Sequence, residues 1–76
     1  MTKTELTTRI IEIIAAELDI EIERITPETR LVDDLRANSY ETAEIIVEIE
    51  DQFGHDADFY TCETVGELVE MVEKLL

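Results

Sequence analysis

The sequence predicts an all-α fold: a small four-helix bundle, three main helices plus one short helix, with a long loop between helices 1 and 2. Three observations lead there. Apolar residues recur at helical spacing in three separate stretches. Breakers are scarce, with Gly at 2 and Pro at 1 in 76 residues. Hydrophobic residues make up 45% and charged residues 34%, a mixture suited to amphipathic helices and too apolar for a disordered acidic tail. A chain of this length makes one domain, residues 1–76.

The first helix is expected over Thr4 to Leu18, where Leu6, Ile10, Ile11, Ile13, Ile14 and Leu18 supply the apolar face. Thr4 is placed as its N-cap, and Ala15-Ala16 favour the helix. Asp19-Ile20-Glu21-Ile22-Glu23 alternates like a strand. No second strand-like run exists to pair with it, so Asp19 to Asn38 reads as a long loop. Ile20, Ile22, Ile25, Leu31 and Leu35 are its expected pins, with Val32 as a further apolar anchor and turn chemistry at Thr26-Pro27-Glu28-Thr29. A loop this long in a small domain usually serves function.

Asn38-Ser39 opens the second helix, and either residue can cap it. The helix is expected to reach Phe53 and to end at Gly54. At about 100° per residue, Ala43, Ile45, Ile46, Ile49 and Phe53 share one arc, while Glu41, Glu44, Glu48 and Asp51 form the opposite stripe. Glu50 falls inside the apolar arc with no reason visible in the sequence. A short helical turn is expected around Asp58-Phe59-Tyr60. Thr64-Val65-Gly66-Glu67 reads as a capping box for the last helix, whose stripe is Val65, Leu68, Val69, Val72, Leu75 and Leu76. The short connection between the second and last helices predicts antiparallel neighbours.

Charge narrows the function. Lys+Arg 6 against Asp+Glu 20 gives a formal net charge of −14. Such a chain assembles no basic patch for nucleic acid or for an anionic membrane surface. Its natural partners carry basic patches. Self-repulsion lowers stability, so salt or divalent cations should raise it. A monomer is expected. Cys62 is the single cysteine, so no disulfide can form within the chain. One unpaired thiol with no targeting signal or membrane-span-length run points to the cytoplasm.

Catalysis finds no footing. There is no Gly-rich phosphate loop, no Cys pair and no calcium-loop pattern. One His and one Cys cannot make a zinc site. Ser39 and the only imidazole, His55, lie at opposite ends of the second helix, about 20 Å apart at a rise of about 1.5 Å per residue.

The segment from Leu31 to Ile46 carries a resemblance. Asp34-Leu35, Ser39, Thr42, Glu44 and Glu50-Asp51-Gln52-Phe53 stand in the order found in acyl carrier proteins. In that family an Asp-Leu-Gly-x-Asp-Ser-Leu run precedes a helix of the type x-Thr-x-Glu-Leu that ends in Glu-x-x-Phe. The likeness extends to the first helix, to Thr26-Pro27 and to Thr64-Val65, so it covers essentially the whole chain. It implies a non-catalytic carrier modified at Ser39 with 4′-phosphopantetheine. A separate phosphopantetheinyl transferase supplies this group from coenzyme A and needs a divalent metal. The arm's thiol then holds acyl intermediates as thioesters for acyl-transferring and acyl-modifying enzymes in fatty-acid, polyketide or related lipid biosynthesis. A phosphodiester at a helix N-terminus suits the free amides and dipole there. Taken alone, a serine in this position is more often only an N-cap.

Three departures accompany the resemblance. Arg36 stands for the usual Gly, Asn38 for the usual Asp and Tyr40 for the usual Leu. They weaken the acidic signal beside Ser39 and imply slower or more selective modification. They also sustain a rival reading, an unmodified acidic adaptor on the same scaffold that binds basic partners. For partner docking the resemblance implies Asp34, Asn38 and the stripe Glu41, Glu44, Glu48 and Asp51, with Tyr40 and Val47 adding apolar contact at its border. Like charges at these spacings cost about 0.2–0.5 kcal/mol per pair in helix stability, so the stripe is unfavourable for folding alone. Cys62 is expected to be a small, partly buried apolar residue, and His55 a linker residue near acidic neighbours. Between Phe53 and Thr64 the chain is a few residues shorter than typical relatives, which bears on the short helix.

Overall fold

A computed structural model describes residues 1–76 and contains three α-helices: α1 (Lys3–Leu18), α2 (Ser39–Phe53) and α3 (Val65–Leu75). Two 3₁₀ turns, Ile22–Arg24 and Phe59–Thr61, interrupt the connections. No strand forms; the alternating stretch after α1 instead winds into the first 3₁₀ turn. The short helix expected between the second and last main helices is reduced to the second 3₁₀ turn, held by Asp58, whose Oδ1 accepts from Tyr60 N at 3.1 Å.

Each α-helix begins with a reciprocal capping box: Thr2 with Glu5, Asn38 with Glu41, and Thr64 with Glu67. The cap of α1 is therefore Thr2 and not Thr4. Glu5 decides this, because its Oε1 reaches back to Thr2 N at 2.8 Å while its own N–H donates to Thr2 Oγ1 at 3.1 Å. At the other end α1 closes on Asp19, which takes the left-handed conformation at φ 55°, a region Asp tolerates better than most residues. Gly54 ends α2 as expected, at a φ of 126° that favours glycine.

Helix α1 is the centre of the bundle. Its backbone lies close to both α2 and α3, whose backbones keep farther from each other. Lys3 at its start pairs with Glu73 near the end of α3 at 3.9 Å. Arg9 Nη1 donates to Gln52 Oε1 near the end of α2 at 3.2 Å. Both partners run antiparallel to α1, so α2 and α3 point the same way. This corrects the expectation of antiparallel neighbours: α1 lies between them, and the chain must travel back along the bundle to start α3. The core comprises Leu6, Ile10 and Ile14 of α1, Ile45, Ile46 and Ile49 of α2, and Leu68, Val69 and Val72 of α3, with Phe59 from the second 3₁₀ turn. Burying each such side chain contributes about 1.5–3 kcal/mol.

The long loop is held as much by its backbone as by apolar pins. Ile25 and Leu31 are buried and Ile20 and Leu35 are half-buried, but Ile22 and Val32 are exposed. The loop lies across the entrance of α3. Val65 N donates to Thr29 O at 3.0 Å, Gly66 N to Pro27 O at 2.8 Å, and Leu31 N to Glu63 O at 3.0 Å. First-turn amides of a helix lack intrahelical partners, and here the loop carbonyls supply them. Gly66 permits the close approach, since a Cβ there would sit 3.1 Å from Pro27 O. The loop is thereby ordered up to Asn38, which positions the start of α2.

Candidate functional site

The loop's last turn sets the entrance of α2. Arg36 N donates to Val32 O at 3.0 Å and Ala37 N to Leu31 O at 3.1 Å, one bond nested inside the other. Within this turn Arg36 takes the left-handed region at φ 61°, which Gly occupies at least cost. Ala37 turns inward and is buried. Asn38 follows as the cap, its Oδ1 accepting from Glu41 N at 2.8 Å while its N–H donates to Glu41 Oε1 at 3.0 Å.

With Asn38 as the cap, Ser39 becomes the first residue of α2 and is exposed. Its hydroxyl is not spent on capping. The N–H groups of Ser39 and Tyr40 also have no backbone partner, as helix geometry requires at a start. An exposed hydroxyl beside free amides suits a covalently held phosphate. Ser39 is also the chain's sole serine, a fact legible from composition alone.

Ser39 stands on the rim of a surface hollow of about 450 Å³ bounded by Val32, Ala37, Asn38, Ser39, Thr42 and Tyr60. A neighbouring hollow of about 330 Å³ shares Val32, Thr42 and Tyr60 and continues toward Cys62 and Glu63. Between them Thr42 Oγ1 is buried without a hydrogen-bond partner. Val32 and Tyr60, 58% and 61% exposed, form an apolar lip beside α2. Neither joins the site by sequence reasoning, because their proximity arises only when the loop and the second 3₁₀ turn fold against α2.

The remaining candidates spread along α2. Tyr40 is exposed at its start, Glu41 and Glu44 are half-buried, and Val47, Glu48 and Asp51 are exposed. Glu41 is tied to Asn38, so its charge serves the cap as well as the stripe. Asp34 is taken up by Arg30, a residue sequence reasoning left aside although their i,i+4 spacing signals it. Arg30 N donates to Asp34 Oδ2 at 2.8 Å, and its guanidinium meets both carboxylate oxygens at 3.3 and 3.1 Å. This contact holds the Asp34 carboxyl below the usual carboxylate range and pushes Arg30 up. Arg30 Nη1 also lies 3.6 Å from Asp33.

Two singled-out residues lie away from Ser39's chemistry. His55 Nδ1 is 3.7 Å from Glu50 Oε1, which gives the half-buried Glu50 a neighbour at the end of α2. Cys62 is half-buried with its Sγ 4.0 Å from Met71 Sδ, and burial, with Glu67 nearby, raises its thiol pKa. A raised pKa makes a poor nucleophile. No cluster of His, Cys, Asp and Glu is arranged to hold a metal ion, and no helix is long and apolar enough to cross a membrane.

The family described as "Phosphopantetheine attachment site" matches residues 8–72. An acyl carrier protein of Thermotoga maritima is 32% identical over 77 residues, covering 97% of this chain and 95% of its own length.

Proposed function

The chain belongs to the acyl carrier protein family, whose attachment domain carries covalent 4′-phosphopantetheine, and from this premise we propose that Ser39 is its attachment residue and that the protein shuttles acyl groups among partner enzymes. The observation that supports this reading most is the division of labour at the start of α2. Asn38 caps the helix, which frees the exposed Ser39 hydroxyl. That answers the commoner reading of a serine here as a cap. When bound, the arm supplies the thiol that holds the acyl group as a thioester. The chain's own residues present the hydroxyl to a phosphopantetheinyl transferase, surround the phosphate with the free amides of Ser39 and Tyr40, and offer an acidic face to acyl-transferring enzymes.

The stripe of α2 is the docking face in this reading. Glu44, Glu48 and Asp51, with Tyr40 and Val47 at the border, would meet basic and apolar groups of successive partners. Asn38 and Arg36 lower the negative charge near Ser39 and favour transferases with weaker acidic requirements. The cargo belongs to fatty-acid, polyketide or related lipid synthesis, in the cytoplasm, with the single domain acting as a monomer.

Acyl loading tests the carrier role. The arm-bearing protein given an acyl-CoA and its acyltransferase, or the unmodified protein given an acyl-CoA and a phosphopantetheinyl transferase, should gain the acyl mass. Neutral hydroxylamine should remove that mass and leave the arm. Acyl mass that survives hydroxylamine excludes the thioester. Failure to accept any arm favours the acidic adaptor.

A further inference from the structure

We infer that Arg36 is a positioning residue for the phosphodiester attached at Ser39, an inference that rests on the attachment reading above. Arg36 lies three residues before Ser39, so their Cα atoms are at most about 11 Å apart at about 3.6 Å per residue. Over that separation a long, exposed arginine side chain is able to bring its guanidinium to a phosphate on Ser39. The carboxylates that would otherwise neutralise it are engaged elsewhere: Asp34 and Asp33 by Arg30, and Glu41 by the amide of Asn38. In a chain with 20 acidic residues, Arg36 is exposed and forms no ion pair. It is the free cation nearest to Ser39 in the sequence.

Its backbone makes the placement specific. The bonds from Arg36 N to Val32 O and from Ala37 N to Leu31 O close a turn in which Arg36 sits at φ 61°, a region that Gly occupies at least cost. A non-Gly residue is disfavoured there, so the side chain brings nothing to the fold of the turn that Gly would not supply better. What Arg adds is a charge. In a chain of formal net charge −14 a single Arg near the phosphodiester offsets repulsion and draws the arm's root toward the loop side of α2. Arginine's planar fork suits phosphate oxygens.

The test compares apo and holo forms of the full chain, with loading at Ser39 verified by mass. At low ionic strength, attachment should raise the Tm of the wild type more than that of Arg36→Gln, and the ³¹P resonance of the diester should differ between them. Both differences should shrink in about 1 M salt, where the Debye length falls to about 3 Å. Arg36→Lys should restore most of the effect. Arg36→Gly relieves the turn, so its apo form should melt higher while its gain on loading is smaller than the wild type's. Equal gains on loading and equal ³¹P shifts in wild type, Arg36→Gln and Arg36→Gly at low salt would overturn the proposal and leave attachment at Ser39 standing. Absence of any arm on Ser39 would overturn the attachment reading and this proposal with it.

Discussion

Asn38 and Ser39 share the start of α2, and their roles separate only in three dimensions. Both are good capping residues, so the sequence leaves the cap open between them. Glu41 settles it, because three residues after Asn38 it can reach back to the amide of Asn38 itself. Arg36 was legible as a departure from a usual glycine. Its left-handed backbone was not, since that follows from hydrogen bonds to Leu31 and Val32. Thr42 is the reverse case: its place in the family pattern is plain in the sequence, while its orphaned hydroxyl is visible only in the fold. A buried unpaired hydroxyl costs about 1–3 kcal/mol. Thr42→Val should therefore raise Tm, by about 4–8 °C if about 1 kcal/mol is regained. Thermal melts of the apo protein check this, and a fall in Tm would mean that the hydroxyl is satisfied in solution.

Among the elements, the helices with strong apolar periods were readable nearly to their ends, whereas the connections were not. Ile22 and Val32 look like anchors because they are apolar, yet the loop is tied through Pro27, Thr29 and Leu31 backbone atoms that no pattern reveals. The same concealment applies to helix direction, since a short second connection suggested antiparallel packing until α1 took the position between α2 and α3. Gly66 tests the loop's attachment. Alanine is the better helix former by about 1 kcal/mol, but its Cβ would press on Pro27 O at 3.1 Å, and bonds at Thr29 and Leu31 keep the loop from retreating. Gly66→Ala should lower Tm in spite of propensity; a rise would mean the loop yields. Helix α2 carries the second test. Reversing Glu44 and Glu48 to Lys should weaken binding to a transferase or acyl-handling enzyme by tenfold or more at low salt (about 1.4 kcal/mol), with the loss shrinking as salt rises. Titration calorimetry across ionic strengths reads this out, and unchanged affinity would remove the stripe from the docking face.

At the scale of the whole molecule, the charge of −14 repels polyanions, and the fold commits several of its acids to internal contacts. Glu5 and Glu67 serve capping boxes and Asp34 serves Arg30, and these contacts hold all three carboxyls below the usual range. Groups whose folded pKa is depressed stabilise above their unfolded pKa and lose that contribution as pH falls through the folded value. The contribution of these three groups should thus drop as pH falls below the ordinary carboxylate range near about 4. Glu67→Gln, which can still cap, should flatten that drop in melts taken from pH 5 to pH 2. An unchanged slope would separate Glu67 from the acid limb. In the proposed reading the acids of α2 outside its cap meet partners, beside a serine that Asn38 leaves free of capping. The most direct measurement of that central claim is the intact mass of the chain after co-expression with a broad-specificity phosphopantetheinyl transferase. The wild type should gain one phosphopantetheine and Ser39→Ala none, while Asn38→Asp, which keeps the cap, should gain it as completely as the wild type. No gain in the wild type with any transferase, or a gain that persists in Ser39→Ala, would contradict attachment at Ser39.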